Sequence, residues 1–335
     1  STACESCMIS GWKCRAFREF VKNRERKMSA GVIFQQMVVI FLLILVGYVL
    51  FKWKILAFSC SADLSALVVQ LCSPALIIVS ALEGCHNLKH DQVIWGFVLV
   101  GGLYLLLILL GLVIPGLLRS PGCQFQQYNM MTVFGNTGFI GIPVVMAVLG
   151  ADAMVYVTIF NIYFNLLIYT YGIYLVNKDG GKEQQKLSPQ IFLNVGNVSN
   201  VIAILIFLLK PEVPMIAQET VNYVGDATVF LSMVIVGGFL AKAPLREIFS
   251  EKRIYVFVLA RQIIVPILLT VALKPWVTDP MMLGACMLMV AMPVGNMPLL
   301  MAEQAGVDGK ILSKGIIVTT LGSMVTVPLV ALFMS

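Results

Sequence analysis

A chain of 335 residues that is 59% hydrophobic and 12% charged, with a mean hydropathy of +0.92, departs from soluble composition, which is nearer one quarter charged. The net charge is +6, but no basic patch interleaved with aromatics is visible, which argues against nucleic acid as a partner. The apolar residues fall into successive runs of roughly 20, the length of a membrane-crossing helix. The short alternating segments of a barrel are missing, so the fold class is an all-α polytopic membrane protein.

In chain order, the first 27 residues carry Lys13, Arg15, Arg18, Lys22, Arg24, Arg26 and Lys27 without a signal-peptide pattern. Met28 opens "MSAGVIFQQMVVIFLL". The expectation is that translation starts at Met28 and that residues 1–27 are not native; the alternative is a disordered basic tail. Hydropathy and turn signals then predict ten spans, near 31–51, 62–83, 91–118, 124–149, 152–176, 188–209, 217–240, 253–273, 279–304 and 311–334.

The cysteines are scattered. Cys60, Cys72 and Cys286 read as small packing residues, and Cys4 and Cys7 form a lone CxxC, weak evidence for metal. Glu83, Cys85, His86, His90 and Asp91 read as an ordinary polar loop between helices rather than a metal site. No cofactor is expected.

The fourth span holds "FGNTGFIGIP", with Gly135, Asn136, Thr137, Gly138, Gly141 and Pro143. Asn161 and Asn165, at i and i+4, share a face of the fifth. The seventh contains Asp226, a rare intramembrane carboxylate that could carry a coupling proton or merely cap a helix start. The eighth contains Arg261, which could attract a substrate carboxylate, pair with Asp226, or serve structure alone. Pro115 and Pro266 read as simple kinks. The ninth span breaks at Pro293-Val-Gly295-Asn296-Met-Pro298.

The long polar connection Val176 to Gln190 splits the spans five and five. Pro143-Val-Val-Met146-Ala147 matches Pro298-Leu-Leu-Met301-Ala302, and the same offset superposes several spans of the two halves. An odd number of spans per repeat inverts one half relative to the other, the mark of an inverted-repeat transporter. The predicted units are 28–176, a cytoplasmic linker at 177–187, and 188–335. Twelve Lys and Arg lie in loops after odd-numbered spans, against Lys89, Lys210 and Lys274 on the opposite side. The positive-inside rule then places both termini outside and the central loop in the cytoplasm of a cell (inner) membrane.

Clustered helix breakers in equivalent spans predict two unwound segments crossing near the bilayer midplane. Unwound backbone cannot face lipid. It must line protein or a watery cavity, where half-helix N-termini favour an anion. Asn136, Thr137, Gly138, Pro143, Asn161, Asn165, Pro293, Gly295, Asn296 and Pro298 are the candidate substrate residues, with Asp226 and Arg261 as candidates for proton or charge coupling.

"FGNTGFIGIPVVMAVLG", "FNLLIYTYGIYL", "LVVQLCSPALIIVSAL" and "FLSMVIVGGFLA" resemble the auxin efflux carrier family from about Met28 to the C-terminus. The resemblance implies ten helices in two inverted five-helix repeats, with crossed broken helices four and nine, as in sodium/proton-antiporter-like folds. It also implies a fixed scaffold, a moving transport unit and a small organic acid as substrate. Phe230, standing where Pro74 of the second span aligns, departs from that symmetry. The leading expectation is alternating-access transport of an organic anion. A cation/proton antiporter, a ligand sensor and, remotely, an intramembrane enzyme are the alternatives. Proton coupling and a homodimer are left open.

Overall fold

Backbone polar groups in a bilayer must find partners within the protein, and the described residues meet that demand with helices. A computed structural model describes residues 30–84, 90–180, 195–211, 213–242 and 251–334. Residues 1–27, Cys85 and His86 of the polar cluster, and most of the central linker lie outside them.

The helices are α1 (Ala30–Lys52), α2 (Cys60–Leu67), α3 (Ser73–Gly84), α4 (His90–Leu117), α5 (Gly122–Val133), α6 (Ile142–Leu149), α7 (Met154–Leu167), α8 (Ile173–Lys178) and α9 (Val195–Leu209). There follow α10 (Met215–Lys242), α11 (Lys252–Val258), α12 (Val265–Leu273), α13 (Pro280–Ala291), α14 (Met297–Gln304) and α15 (Lys310–Met334). Among the described residues, six helical segments are long and apolar enough to cross a bilayer: Cys60–Glu83, Asp91–Leu117, Ala151–Lys178, Met215–Lys242, Lys252–Leu273 and Lys310–Ala331. Val38–Lys52, Thr137–Leu149, Val195–Leu209 and Pro280–Ala291 are shorter apolar helices.

Three of the four π turns among the described residues precede a proline; the fourth, Ile168–Gly172, does not. Pro74, Pro143 and Pro266 each stand two residues beyond a π turn, at Val68–Cys72, Thr137–Gly141 and Leu259–Ile264. A proline cannot donate to the carbonyl four residues back and its ring pushes that carbonyl away. The preceding turn widens, so the helix continues with a bulge rather than a stop. Pro266 is therefore more than the simple kink expected of it, because its bulge carries Arg261.

The helices form two groups that also touch each other, α9 against α7 and α15 against α1. In one, α1 lies against α10, and α3 packs on α9 and α10. Small residues bring these backbones together: a Cβ on Gly237 would stand 2.3 Å from the Ile44 carbonyl oxygen, and one on Gly47 2.6 Å from Val234 Cα. In the other group α4, α5 and α7 pack together, with α11–α15 beside them. Aromatic contacts tie it internally, Tyr104 to Phe160 at 4.8 Å and Phe134 edge-on to Phe164 at 5.7 Å.

Each end of the second group is fastened by a polar cluster. Asp279 caps α13 by accepting from the Met281 N–H at 2.9 Å, and also accepts from Tyr156 Oη at 2.6 Å and Gln92 Nε2 at 2.9 Å. At the end holding Lys178 and Lys310, Gln127 Nε2 donates to Asp179 Oδ2 at 3.0 Å and to the Asp308 carbonyl at 2.9 Å.

Candidate substrate site at a helix crossover

The helical ladder of α5 ends where the Phe134 N–H reaches the Met130 carbonyl at 2.9 Å, and Phe134 itself is extended. That of α13 ends where the Met292 N–H reaches Met289, after which Met292 turns extended and Pro293 supplies no N–H. The two unwound stretches meet. Gly135 and Val294 face each other as an isolated antiparallel bridge. The Asn136 N–H donates to the Pro293 carbonyl at 2.6 Å, and the Gly295 N–H to the Phe134 carbonyl at 3.0 Å. Glycine is required here by proximity, because a Cβ on Gly295 would lie 2.8 Å from the Gly135 oxygen.

Beyond the breaks the helices resume differently. Asn136 Oδ1 accepts from the Phe139 N–H at 3.1 Å, and the π turn Thr137–Gly141 leads into α6, which ends at Gly150 with φ +80°. Asn296 precedes α14 with no side-chain capping bond, and Pro298 occupies the first turn, where its missing N–H costs nothing. The two leading half-helices, α5 and α13, are 12 residues each, and the two trailing ones, α6 and α14, are 8 each. The π turn absorbs the difference in spacing between the halves.

Asn136, Thr137, Pro143, Pro293, Gly295 and Pro298 are all buried around this crossing, whereas Gly138 and Asn296 are only partly buried. A Cβ on Gly138 would meet nothing within 4 Å, so the start of the trailing helix borders open space. Asn161 is buried with its Nδ2 unpartnered among the described residues, and Asn165 is half-buried one turn on. A groove of about 1000 Å³ between α4 and α12–α13, lined by Trp95, Leu105, Leu273 and Trp276 among others, contains none of these residues.

The two charged candidates separate. Asp226 is exposed on α10, and among the described residues no hydrogen bond or ion pair joins it to Arg261. Arg261 is 2% exposed. Its Nε donates to the Thr132 carbonyl at 2.6 Å and its Nη1 to the Val290 carbonyl. These oxygens belong to the last turns of α5 and α13.

Sequence reasoning missed the residues that support the crossing from α15 and the α11–α12 bulge. Thr319 Oγ1 accepts from the Val294 N–H at 3.0 Å and donates to the Gly315 carbonyl at 2.7 Å. Gln262 Nε2 holds the Thr319 carbonyl at 2.9 Å. A threonine bonding back along its own helix is common, so nothing in "GIIVTTLGS" distinguished Thr319.

Two interrupted helices bonded at their breaks inside an apolar helical bundle are the geometry, and the comparison with known families supplies the class. The model of the family described as "Membrane transport protein" matches residues 32–331. The chain belongs to that family, the auxin efflux carriers its motifs resemble. A protein of Rhizobium meliloti (strain 1021) named "Putative malonate transporter" is similar, 24% identical over 273 residues that cover 79% of this chain and 84% of that protein.

Proposed function

We propose that the chain is a secondary transporter moving a small organic anion, a mono- or dicarboxylate, by alternating access at the crossover. In this reading ten spans form two inverted repeats, 28–176 and 188–335, in a cell membrane, with the loop between them cytoplasmic and both termini outside. The group of α1–α3, α9 and α10 stands still while the group carrying the crossover moves. The observation that supports this best is the pair of interrupted helices bonded to each other at their breaks. It brings together the breaks that lead into α6 and α14, whose N-termini are positive dipole ends, and Gly138, ahead of α6, borders open space. The similarity to a named malonate transporter points to the same substrate class. A cation/proton antiporter would place an acid at the breaks, and residues 134–141 and 292–298 contain none.

Uptake into proteoliposomes across a panel of mono- and dicarboxylates tests this reading. Loss of one hydrogen bond to a charged group is worth about 1.5–3 kcal/mol, so Asn136→Ala and Asn296→Ala should each lower uptake by about ten- to a hundredfold. Asn136→Ala also removes a helix cap and should cost about 1 kcal/mol of stability. Asn296→Ala, which loses no capping bond, should leave thermal unfolding unchanged. Normal uptake by both variants would show that substrate binds elsewhere.

A further inference from the structure

The crossing leaves a hydrogen-bonding account that only Arg261 closes. In a continuous helix the Thr132 carbonyl would accept from the Asn136 N–H, and the Val290 carbonyl from the Val294 N–H. Here the Asn136 N–H is diverted to Pro293 and the Val294 N–H to Thr319. Both carbonyls are buried at the negative ends of α5 and α13, and one guanidinium takes both. The planar fork of arginine suits this, since it can serve two acceptors at once. Among the described residues no carboxylate pairs with it; the titratable side chain facing it is the fully buried Tyr104 phenol of α4.

The charge balance follows. Four half-helix ends meet at the crossover, two carrying about +0.5 and two about −0.5. They cancel until Arg261 adds its unit charge on the negative side. We propose that Arg261 is the positioning residue that silences both negative helix ends, so that the crossover presents a net charge of about +1 and takes its substrate as a monoanion. A monoanion makes the loaded site neutral, the form least costly to carry through a low-dielectric barrier. A dicarboxylate would then travel with one carboxyl protonated.

This inference rests on the transport reading, and the test separates the two. Malonate and its half-amide malonamate, a permanent monoanion of the same size, are titrated calorimetrically into the detergent-purified full chain between pH 5 and pH 8. Malonamate affinity is expected to be flat with pH, and malonate affinity to fall about tenfold for each pH unit above its second ionisation. Arg261→Lys, which keeps the charge, should retain malonamate affinity within about threefold, whereas Arg261→Gln should lose at least about tenfold, equivalent to 1.4 kcal/mol. Malonate binding that is flat with pH and tighter than malonamate would overturn the inference while leaving the transport reading intact. So would equal losses in the Lys and Gln variants, which would mark a purely structural residue. If no carboxylate of the panel binds or is transported, the transport reading falls and takes this inference with it. The wild-type pH comparison decides even where the Gln variant does not fold.

Discussion

At the scale of single residues, the crossover is held by groups that compensate for what the breaks leave unpaired. Thr319 is the cleanest case, because its hydroxyl partners an N–H that Pro293 and Gly295 prevent from entering any ladder. Thr319→Val keeps the shape and removes the acceptor. Stranding a buried N–H costs about 1–3 kcal/mol, so the variant should unfold at lower temperature in detergent, and Thr319→Ser should restore most of the loss. Unchanged unfolding of the Val variant would mean that water reaches the Val294 N–H. The breaks themselves were legible, since Pro, Gly and Asn clustered within an apolar run are incompatible with an unbroken helical ladder. The partners of Arg261 were not, because a side chain that bonds backbone carbonyls of distant helices leaves no pattern in its own neighbourhood.

At the scale of elements, the closeness of α1 and α10 depends on having no side chain between their backbones. A Cβ on Gly237 would press on the Ile44 oxygen and, at 2.4 Å, on the Tyr48 nitrogen. Neither can move without its helix. Gly237→Ala should therefore destabilise by about 1–3 kcal/mol, as overpacking does. Gly102→Ala on α4 has nothing within 4 Å and should be neutral or stabilising by up to about 1 kcal/mol, the gain in helix propensity. Thermal unfolding of the two variants side by side checks both. Glycines in membrane helices are frequent enough that the sequence could not say which of them sit in a contact. The π turns were equally hidden: three stand ahead of Pro74, Pro143 and Pro266, but Ile168–Gly172 has no proline beyond it and Pro115 and Pro328 lie in helices without such a turn, so proline alone does not place them.

At the scale of the whole molecule, the polar fastening at the Lys178 end gives a pH dependence whose sign can be worked out. Burial of Asp179 raises its carboxyl above the ordinary value of 3.8, partly offset by the Gln127 hydrogen bond. A raised folded-state value means that the folded protein holds the proton more tightly than the unfolded chain. The stabilising contribution is complete below about pH 3.8 and is lost as pH rises through the folded value. Asp179→Asn keeps an oxygen for Gln127 and removes the charge. The variant should be more heat-stable than the wild type at pH 7, with the advantage vanishing near pH 4; the opposite trend would mean that the carboxylate is stabilised by its surroundings. The all-helical class and the place of the two breaks were readable because apolar length and helix breakers are local signals. Charge alone leaves Arg261 free to meet a substrate carboxylate, Asp226 or structural partners, and only packing separates these, with Asp226 on an exposed face and Arg261 inside.

The two breaks are alike in length of helix but not in finish. One resumes through a widened turn with its asparagine engaged, the other directly with its asparagine unbonded. Under the proposed alternating access, the moving group carries this asymmetry with it. Two unlike finishes give the outward- and inward-facing arrangements unlike energies, so on that proposal the unloaded carrier favours one side of the membrane and binding has to shift it toward the other.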